Sequence, residues 1–280
     1  MPGPTTSVGV YSGVSGEVHR WRVVATSVRG ASHQKRQQPC QDAHYWRTIR
    51  DDVLVAAVAD GAGSAALGKV GATLAACAAA TTVCARRPPP VWPEPDEDWR
   101  QWLVDALRAA QATIAAEARA RQVTVREFAT TVILVVAMPE GVAVAQIGDG
   151  AVVVDDAAGQ LVALTVPQNG EYANETTFLT SPNALDTAQV CVWRGRPRHV
   201  AAFSDGLQRL ALKMPDGHPH APFFLPFFRF VDAVPESREA QVQVEAFLCS
   251  QRVRARTEDD VTLLLGSLLR TGGNAGPISR

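Results

Sequence analysis

Residues 53–61 read VLVAAVADG. Seven apolar residues in a row are too short for a helix, and an Asp-Gly pair stops them. The stretch therefore predicts a strand buried on both faces. The same sequence pattern recurs at AQIGDG (145–150) and AAFSDG (201–206). Asp60, Asp149 and Asp205 each follow a predicted apolar strand and precede a glycine. Asp259 and Asp260 stand just before a last apolar run, VTLLL, and Asp42 lies between two early strands.

Outward from these runs, strands are predicted over 21–28, 131–137, 142–147, 151–154, 161–165, 188–193, 199–203 and 261–267. MPEG joins 131–137 to 142–147 as a hairpin. A helix packed on all sides is predicted over 68–85. A second starts near Trp99, with Trp99, Trp102, Leu103, Ala106, Leu107, Ala110 and Ile114 on one face and Asp96 or Asp98 as its cap. Shorter helices are expected at 207–212 and 239–251. Residues 29–43 read as a polar loop and 86–98 as a proline-rich connection. Residues 166–188 lack apolar periodicity and read as a lid. Residues 215–238 read as irregular, and their five phenylalanines between 223 and 230 fit a satellite core under a loop better than an exposed docking patch. Strands and helices are segregated rather than alternating, so the expected class is α+β with antiparallel sheets. One domain over 17–270 is expected, between a flexible segment at 1–16 and a flexible tail at 271–280.

The chain has 280 residues, 46% hydrophobic and 20% charged, and 27 basic against 28 acidic side chains leave a net charge of -1. Such a balance gives no basic field for nucleic acid. The arginine groups at 194–198 and 252–256 read as solvated edges. Five widely spaced cysteines form no C-x-x-C pair, so neither a disulfide framework nor a zinc site is expected, and reduced thiols fit a cytoplasmic protein. No signal peptide is legible at the N-terminus. The apolar stretch at 70–85 is short for a membrane span, so no membrane association is expected.

A single Asp-Gly is most often a turn. Three of them plus an Asp-Asp, all at strand ends, are a different matter if the strands lie side by side. Gathered carboxylates repel one another and need a counter-charge. An all-oxygen set suits magnesium or manganese rather than zinc. Glycine after each aspartate lets the backbone come close to an ion and offer its carbonyl. This reading reaches a metal site on a β-rich scaffold and no further.

The ordered set GASHQKRQQPCQDA (30–43), VAAVADGAGSAALGKVGA (55–72), FATTVILVV (128–136), AQIGDGAVVV (145–154), AAFSDGLQRL (201–210) and TEDDVTLLL (257–265) resembles the protein phosphatase 2C family, in a compact bacterial form. The resemblance implies a sandwich of two antiparallel sheets flanked by helices. It implies two manganese or magnesium ions, or three, whose bridging water attacks the phosphorus of a phosphoserine or phosphothreonine. By motif, Asp42 would bind metal directly or through water, and Asp60 would bridge the two ions with the Gly61 carbonyl on one. Asp205 and Asp259 would hold the second ion, and Asp149 a third, weaker one. Asp260 stands where many members have asparagine. Arg36, or more weakly Arg29, would clamp phosphate, or is a solvated loop arginine. His33 would donate a proton or bind phosphate, or is structural. Cys40 reads as packing, Ser64 as a helix cap, and Thr130 and Thr131 as strand packing. Expected partners are phosphoprotein substrates and a cognate Ser/Thr kinase, with the chain acting as a monomer. A weakly active sensor module and another metal hydrolase are the competing readings.

Overall fold

The computed structural model describes residues 18–89, 92–93, 95–168, 176–234 and 237–271. The expected flexible ends, Thr271 apart, and residues 169–175 of the expected lid lie outside them.

Ten strands make two five-stranded sheets, and two short strands pair separately. The first sheet contains β1 (Val18–Val28), β6 (Ala151–Asp156), β7 (Leu161–Thr165), β9 (Pro197–Phe203) and β12 (Val261–Thr271), in the order β1-β12-β9-β6-β7. The second contains β2 (Asp42–Ile49), β3 (Val53–Asp60), β4 (Val132–Met138), β5 (Gly141–Ile147) and β8 (Gln189–Arg194), in the order β2-β3-β4-β5-β8. β10 (Leu212–Lys213) pairs with β11 (His218–Pro219). Every pairing is antiparallel. The α+β sandwich expected from the resemblance is the fold observed.

Alternation along β3 shows how its apolar run is used. Leu54, Ala56 and Val58 face the opposite sheet, where they meet Trp21, Val23, Val152, Val200 and Leu264. Val53, Val55, Ala57 and Ala59 face outward, under α2 (Gly68–Arg86) and α3 (Asp96–Arg121). Covering both faces removes the polar side that a solvated strand would show. On the other sheet, α5 (Ala221–Ala233) and α6 (Ser237–Leu248) cover the outer face. Among the described residues there are also three short α-helices, α1 (Ala31–Lys35), α4 (Gln208–Ala211) and α7 (Gln251–Arg254), and 3₁₀ turns at Val125–Phe128, Ala184–Thr187 and Asp205–Leu207.

Several elements differ from expectation. β2 lies where a loop was predicted up to residue 43, because this edge strand carries polar residues and only one of its faces is covered. α2 is not packed on all sides: Lys69, Thr73, Cys77 and Thr81 form an exposed stripe at a spacing of four. It is the one helix among the described residues long and apolar enough to cross a membrane, and its alanine face lies in the core. α3 begins with Pro95 as its cap, and neither predicted aspartate caps it; Asp96 instead pairs with Arg194 at 2.7 Å. The irregular segment predicted over 215–238 is largely α5. Pro226 sits inside it and disguised it, since an internal proline costs a helix about 3 kcal/mol. Burying Phe223, Phe224, Phe228 and Val231 offsets that loss at roughly 1.5–3 kcal/mol each. The phenylalanines belong to a helix packed on the first sheet, not to a satellite core under a loop.

Register places the chemistry at one end. Asp42 pairs with Asp60 across β2 and β3, and Val132 with Ile147 across β4 and β5. Phe203 pairs with both Ala151 and Leu263, and Val28 with Val261. The ends of β1, β3, β5 and β9 and the starts of β2, β4, β6 and β12 therefore share one edge of the sandwich.

Ile114 is fully buried between α3 and the second sheet. Ile114→Ala is expected to lower unfolding free energy by about 2–5 kcal/mol in urea denaturation. Val242→Ala, at a position 60% exposed, is expected to change it by about 0.5 kcal/mol or less.

Candidate active site

At that shared edge a cleft of about 350 Å³ opens between the sheets. Asp60, Asp149, Asp205 and Asp259 line it together with Gly61, His33 and Arg36. Six of these seven come from the predicted set of metal and phosphate ligands, and His33 from the predicted catalytic one. Asp42 is the exception. It lies beneath the cleft, 5% exposed, and does not line it.

Asp60 is held by its backbone. Its N–H donates to Thr131 Oγ1 at 3.0 Å, and its carbonyl accepts from Thr130 Oγ1 at 2.9 Å and from the Thr131 N–H at 2.8 Å. The two threonines thus clamp the aspartate rather than serving as strand packing alone. Gly61 follows, with its N–H on the Gln41 carbonyl at 3.2 Å. Turned with its NH₂ toward the loop, the Gln41 amide donates to the Gly61 and Ala62 carbonyls at 2.9 and 3.0 Å. A Cβ on Gly61 would come 2.4 Å from the Gly68 carbonyl carbon and oxygen, so the glycine serves the crossing of the loop under α2. Ser64 lines the cleft and caps nothing: Leu67 is the residue before α2.

Asp42 Oδ2 accepts from Ser204 Oγ and Thr262 Oγ1, both at 2.7 Å. Ser204 Oγ in turn accepts from the Thr262 N–H at 2.9 Å. Asp149 accepts from Thr176 Oγ1 at 2.7 Å, and its carbonyl accepts from Gln208 Nε2. Thr176 belongs to the expected lid, whose described second half is docked. The Leu179 N–H donates to the Thr130 carbonyl at 2.7 Å, and Phe178 packs against Ala62, Ala65 and Ala129.

The electrostatics are those of carboxyls without enough counter-charge. Burial, with Asp260 and Asp205 nearby, pushes Asp42 up to about 7 despite its two hydroxyl donors. Burial and the charges of Asp149 and Asp259 push Asp205 up to about 7 as well. Burial, then Asp42, Asp205 and Asp259, raise Asp60 well above the usual carboxylate range, and a proton shared with Asp205 stabilises its neutral form. Burial raises Asp149, against the Thr176 hydrogen bond. Asp42 Oδ1 and Asp205 Oδ1 are buried and find no donor among the described residues.

An oxygen-only donor set, orphaned buried carboxylate oxygens and mutually raised carboxyls fit hard divalent cations. Among the described residues no three such side chains close on a single point as a ready cage. Carboxylates that repel one another spread apart, and magnesium-type ions keep several waters of their own, so a looser ring still suits them.

His33 and Asp260 form the wall beside this ring. Asp260, 1% exposed, accepts from the Gly30 N–H at 2.6 Å and the Gln41 N–H at 2.5 Å. His33 Nδ1 lies 2.8 Å from Asp260 Oδ2, poorly aligned for a hydrogen bond. Its Nε2 faces Gly63 on the cleft side. Asp260 thus anchors the loop that carries His33 and Arg36. Arg36 is exposed at the rim, and Arg29 points away to the Gln38 carbonyl. Burial, reinforced by Asp42 and Asp260, pushes the Cys40 thiol far up, which keeps it an unreactive packing group.

Sequence reading missed Gln41, Thr176, Ser204 and Thr262. Ser204 sits one residue from the predicted ligand Asp205 and Thr262 three from Asp259. Their hydroxyls reach Asp42 only because β2, β9 and β12 converge, which no local spacing reveals.

Two expectations follow. Removing both acceptors with Asp260→Ala orphans two buried N–H groups and is expected to cost on the order of 2 kcal/mol or more in chemical denaturation. Asp260→Asn, which keeps an acceptor, is expected to cost less. For the metal-free protein the sign with pH is set by the raised carboxyls. Asp42 and Asp205 bind protons when folded and release them when unfolded between their ordinary value of 3.8 and about 7, so stability falls as pH rises through that interval. In EDTA the Tm is expected to decline across it and then level, and manganese is expected to remove the decline. A Tm that rises toward pH 7 in EDTA would contradict this.

Residues 29–249 match the model of the protein phosphatase 2C family. Over 256 residues the chain is 38% identical to serine/threonine-protein phosphatase 3 of Escherichia coli (strain K12), covering 88% of this chain and 97% of that protein. A solved bacterial serine phosphatase is similar with a TM-score of 0.62 at 13% identity, covering 91% of this chain and all of the other. The catalytic domain of the serine/threonine protein phosphatase PstP, solved in complex with 2 manganese ions, has a TM-score of 0.60 at 19% identity over 90% of this chain. At such identities the structural likeness speaks for the fold.

Proposed function

Because this chain belongs to the protein phosphatase 2C family, we propose that its carboxylate cleft is the active site of a metal-dependent serine/threonine protein phosphatase. The observation that carries the reading is the convergence of Asp60, Asp149, Asp205 and Asp259 on one cleft above the orphaned Oδ1 of Asp42.

Asp60 and Asp205, raised by burial, would hold one pair of manganese or magnesium ions, with Asp259 at the rim and the Gly61 carbonyl beside Asp60. Asp149 faces the same cleft and is the candidate for a third. Bound there, divalent cations would supply an acidic water as nucleophile and offset charge on the phosphoryl oxygens. The protein does the placing. Thr130 and Thr131 fix Asp60, and Ser204 and Thr262 fix Asp42 below it. Arg36 at the rim meets the phosphate with a planar fork of donors. His33 Nε2 looks across Gly63 into the cleft, where it can hand a proton to the leaving serine or threonine oxygen. No thiol takes part.

Phosphoproteins bearing phosphoserine or phosphothreonine are the substrates this reading implies, with a Ser/Thr kinase as the opposing activity. We further infer a cytoplasmic monomer; five free cysteines support a reducing compartment. A second reading, a weakly active sensor of the same fold, draws on the exposed Arg36, which has no fixed place over the carboxylates.

The deciding measurement is phosphate release from a phosphothreonine peptide in manganese, magnesium or EDTA. Release is expected to require a divalent cation and to fall by about 100-fold or more in Asp205→Asn. Equal rates for wild type and variant, with manganese still binding by calorimetry, would leave the sensor reading.

A further inference from the structure

Between α5 and α6 lies a cavity of about 590 Å³. Phe223, Phe227 and Phe230 of α5, Val244 and Phe247 of α6, and Leu210 of α4 form its apolar walls. Its rim carries Arg209, Lys213, Arg252 and Arg256, and no acidic side chain lines it. None of these four cations has an ion-pair partner among the described residues. Elsewhere among the described residues Arg50, Arg86, Arg108, Arg121 and Lys35 are paired and Arg47, Arg119 and Arg126 are not, so it is the clustering of four around one apolar cavity that sets the rim apart. These arginines are thus a solvated edge only in part: they ring an apolar hole.

The cavity also continues into the catalytic cleft. A trough of about 710 Å³ runs between them, lined by Arg209, Arg254 and Arg256 and by Asp205, Asp259 and Glu258, the last paired with Lys35. The chain itself makes the join. Arg209 follows Asp205 by four residues and Arg256 precedes Asp259 by three, so the segments that present the carboxylates turn directly into the cationic rim. Loose packing of two helices would explain an apolar void. It would not explain a collar of unpaired cations leading to the reaction centre.

We propose that this cavity docks the substrate protein: a large apolar side chain from an acidic segment inserts between α5 and α6 while the phosphoryl group occupies the cleft. The proposal rests on the phosphatase reading. Charge complementarity makes the segment acidic, and aromatic walls make the anchor bulky and apolar.

The test compares a short phosphothreonine peptide with the same core extended, on either side, by an acidic segment containing phenylalanine. Wild type is expected to hydrolyse one extended peptide with about tenfold higher kcat/KM, through KM. Arg252→Glu and Phe227→Ala are expected to abolish that preference, with the core peptide and a small aryl phosphate changed by about twofold or less. Arg252 is exposed, so its variant keeps the test valid if Phe227→Ala unfolds. No advantage for either extension in wild type overturns the proposal. So does decanoate raising the Tm of wild type but not of Arg252→Glu while the extensions give no advantage, which would make the cavity a site for a small anionic amphiphile. If wild type releases no phosphate from any peptide, the phosphatase reading fails. Fluorescence anisotropy of the unphosphorylated extended peptide then decides docking alone: binding weakened by Arg252→Glu upholds it, and no binding overturns it.

Discussion

Negative charges forced together at one end of two sheets govern this molecule. Asp42 and Asp60 face each other directly across β2 and β3, with Asp205 close by, and like charges so placed repel. What keeps them there is the buried apolar centre between the sheets, whose register leaves the strand ends nowhere to go. Neutral hydroxyls do the fine positioning. Ser204, Thr262, Thr131, Thr130 and Thr176 donate or accept at 2.7–3.0 Å without adding positive charge of their own. The site stays short of cations, a shortage that divalent metal ions would make good.

Neighbouring residues of one type divide the work by burial. Asp259 is exposed on the cleft, while Asp260 is buried and accepts two backbone N–H groups. The alternation of a strand about to begin sends one carboxylate out and the other in. Gly30 and Gln41 donate to different oxygens of Asp260, so both carboxylate oxygens are spent on the scaffold, and asparagine there would keep one acceptor and lose the other with the charge.

Much of this was legible in the sequence, for identifiable reasons. β3, β4, β5 and β9 are short apolar runs cut off by turn residues, and such runs need no partner to be recognised. Their aspartates could be placed at strand ends for the same reason. β2 was missed because an edge strand reads as polar, and α5 because Pro226 stands where helices usually end. The glycines after Asp60 and Asp205 were expected to admit an ion. They also admit neighbouring backbone: a Cβ at Gly206 would sit 2.1 Å from the Asp260 carbonyl oxygen, much as one at Gly61 would strike Gly68. Those close approaches, like the hydroxyls on Asp42, join residues far apart in the chain and leave no mark in any local window.

β12 lies between β1 and β9, and the residues at its head carry both a cleft carboxylate and the anchor of the 30–41 loop. A ribosome delivers it after every other strand of the two sheets. Until then β1 and β9 present bare edges toward each other, the His33 loop has nothing to fasten to, and Asp259 is absent from the ring. The complete carboxylate cleft can therefore form only after the last strand has been made. Chains halted before residue 261 would lack β12 and leave the edges of β1 and β9 open, a form prone to aggregation and proteolysis.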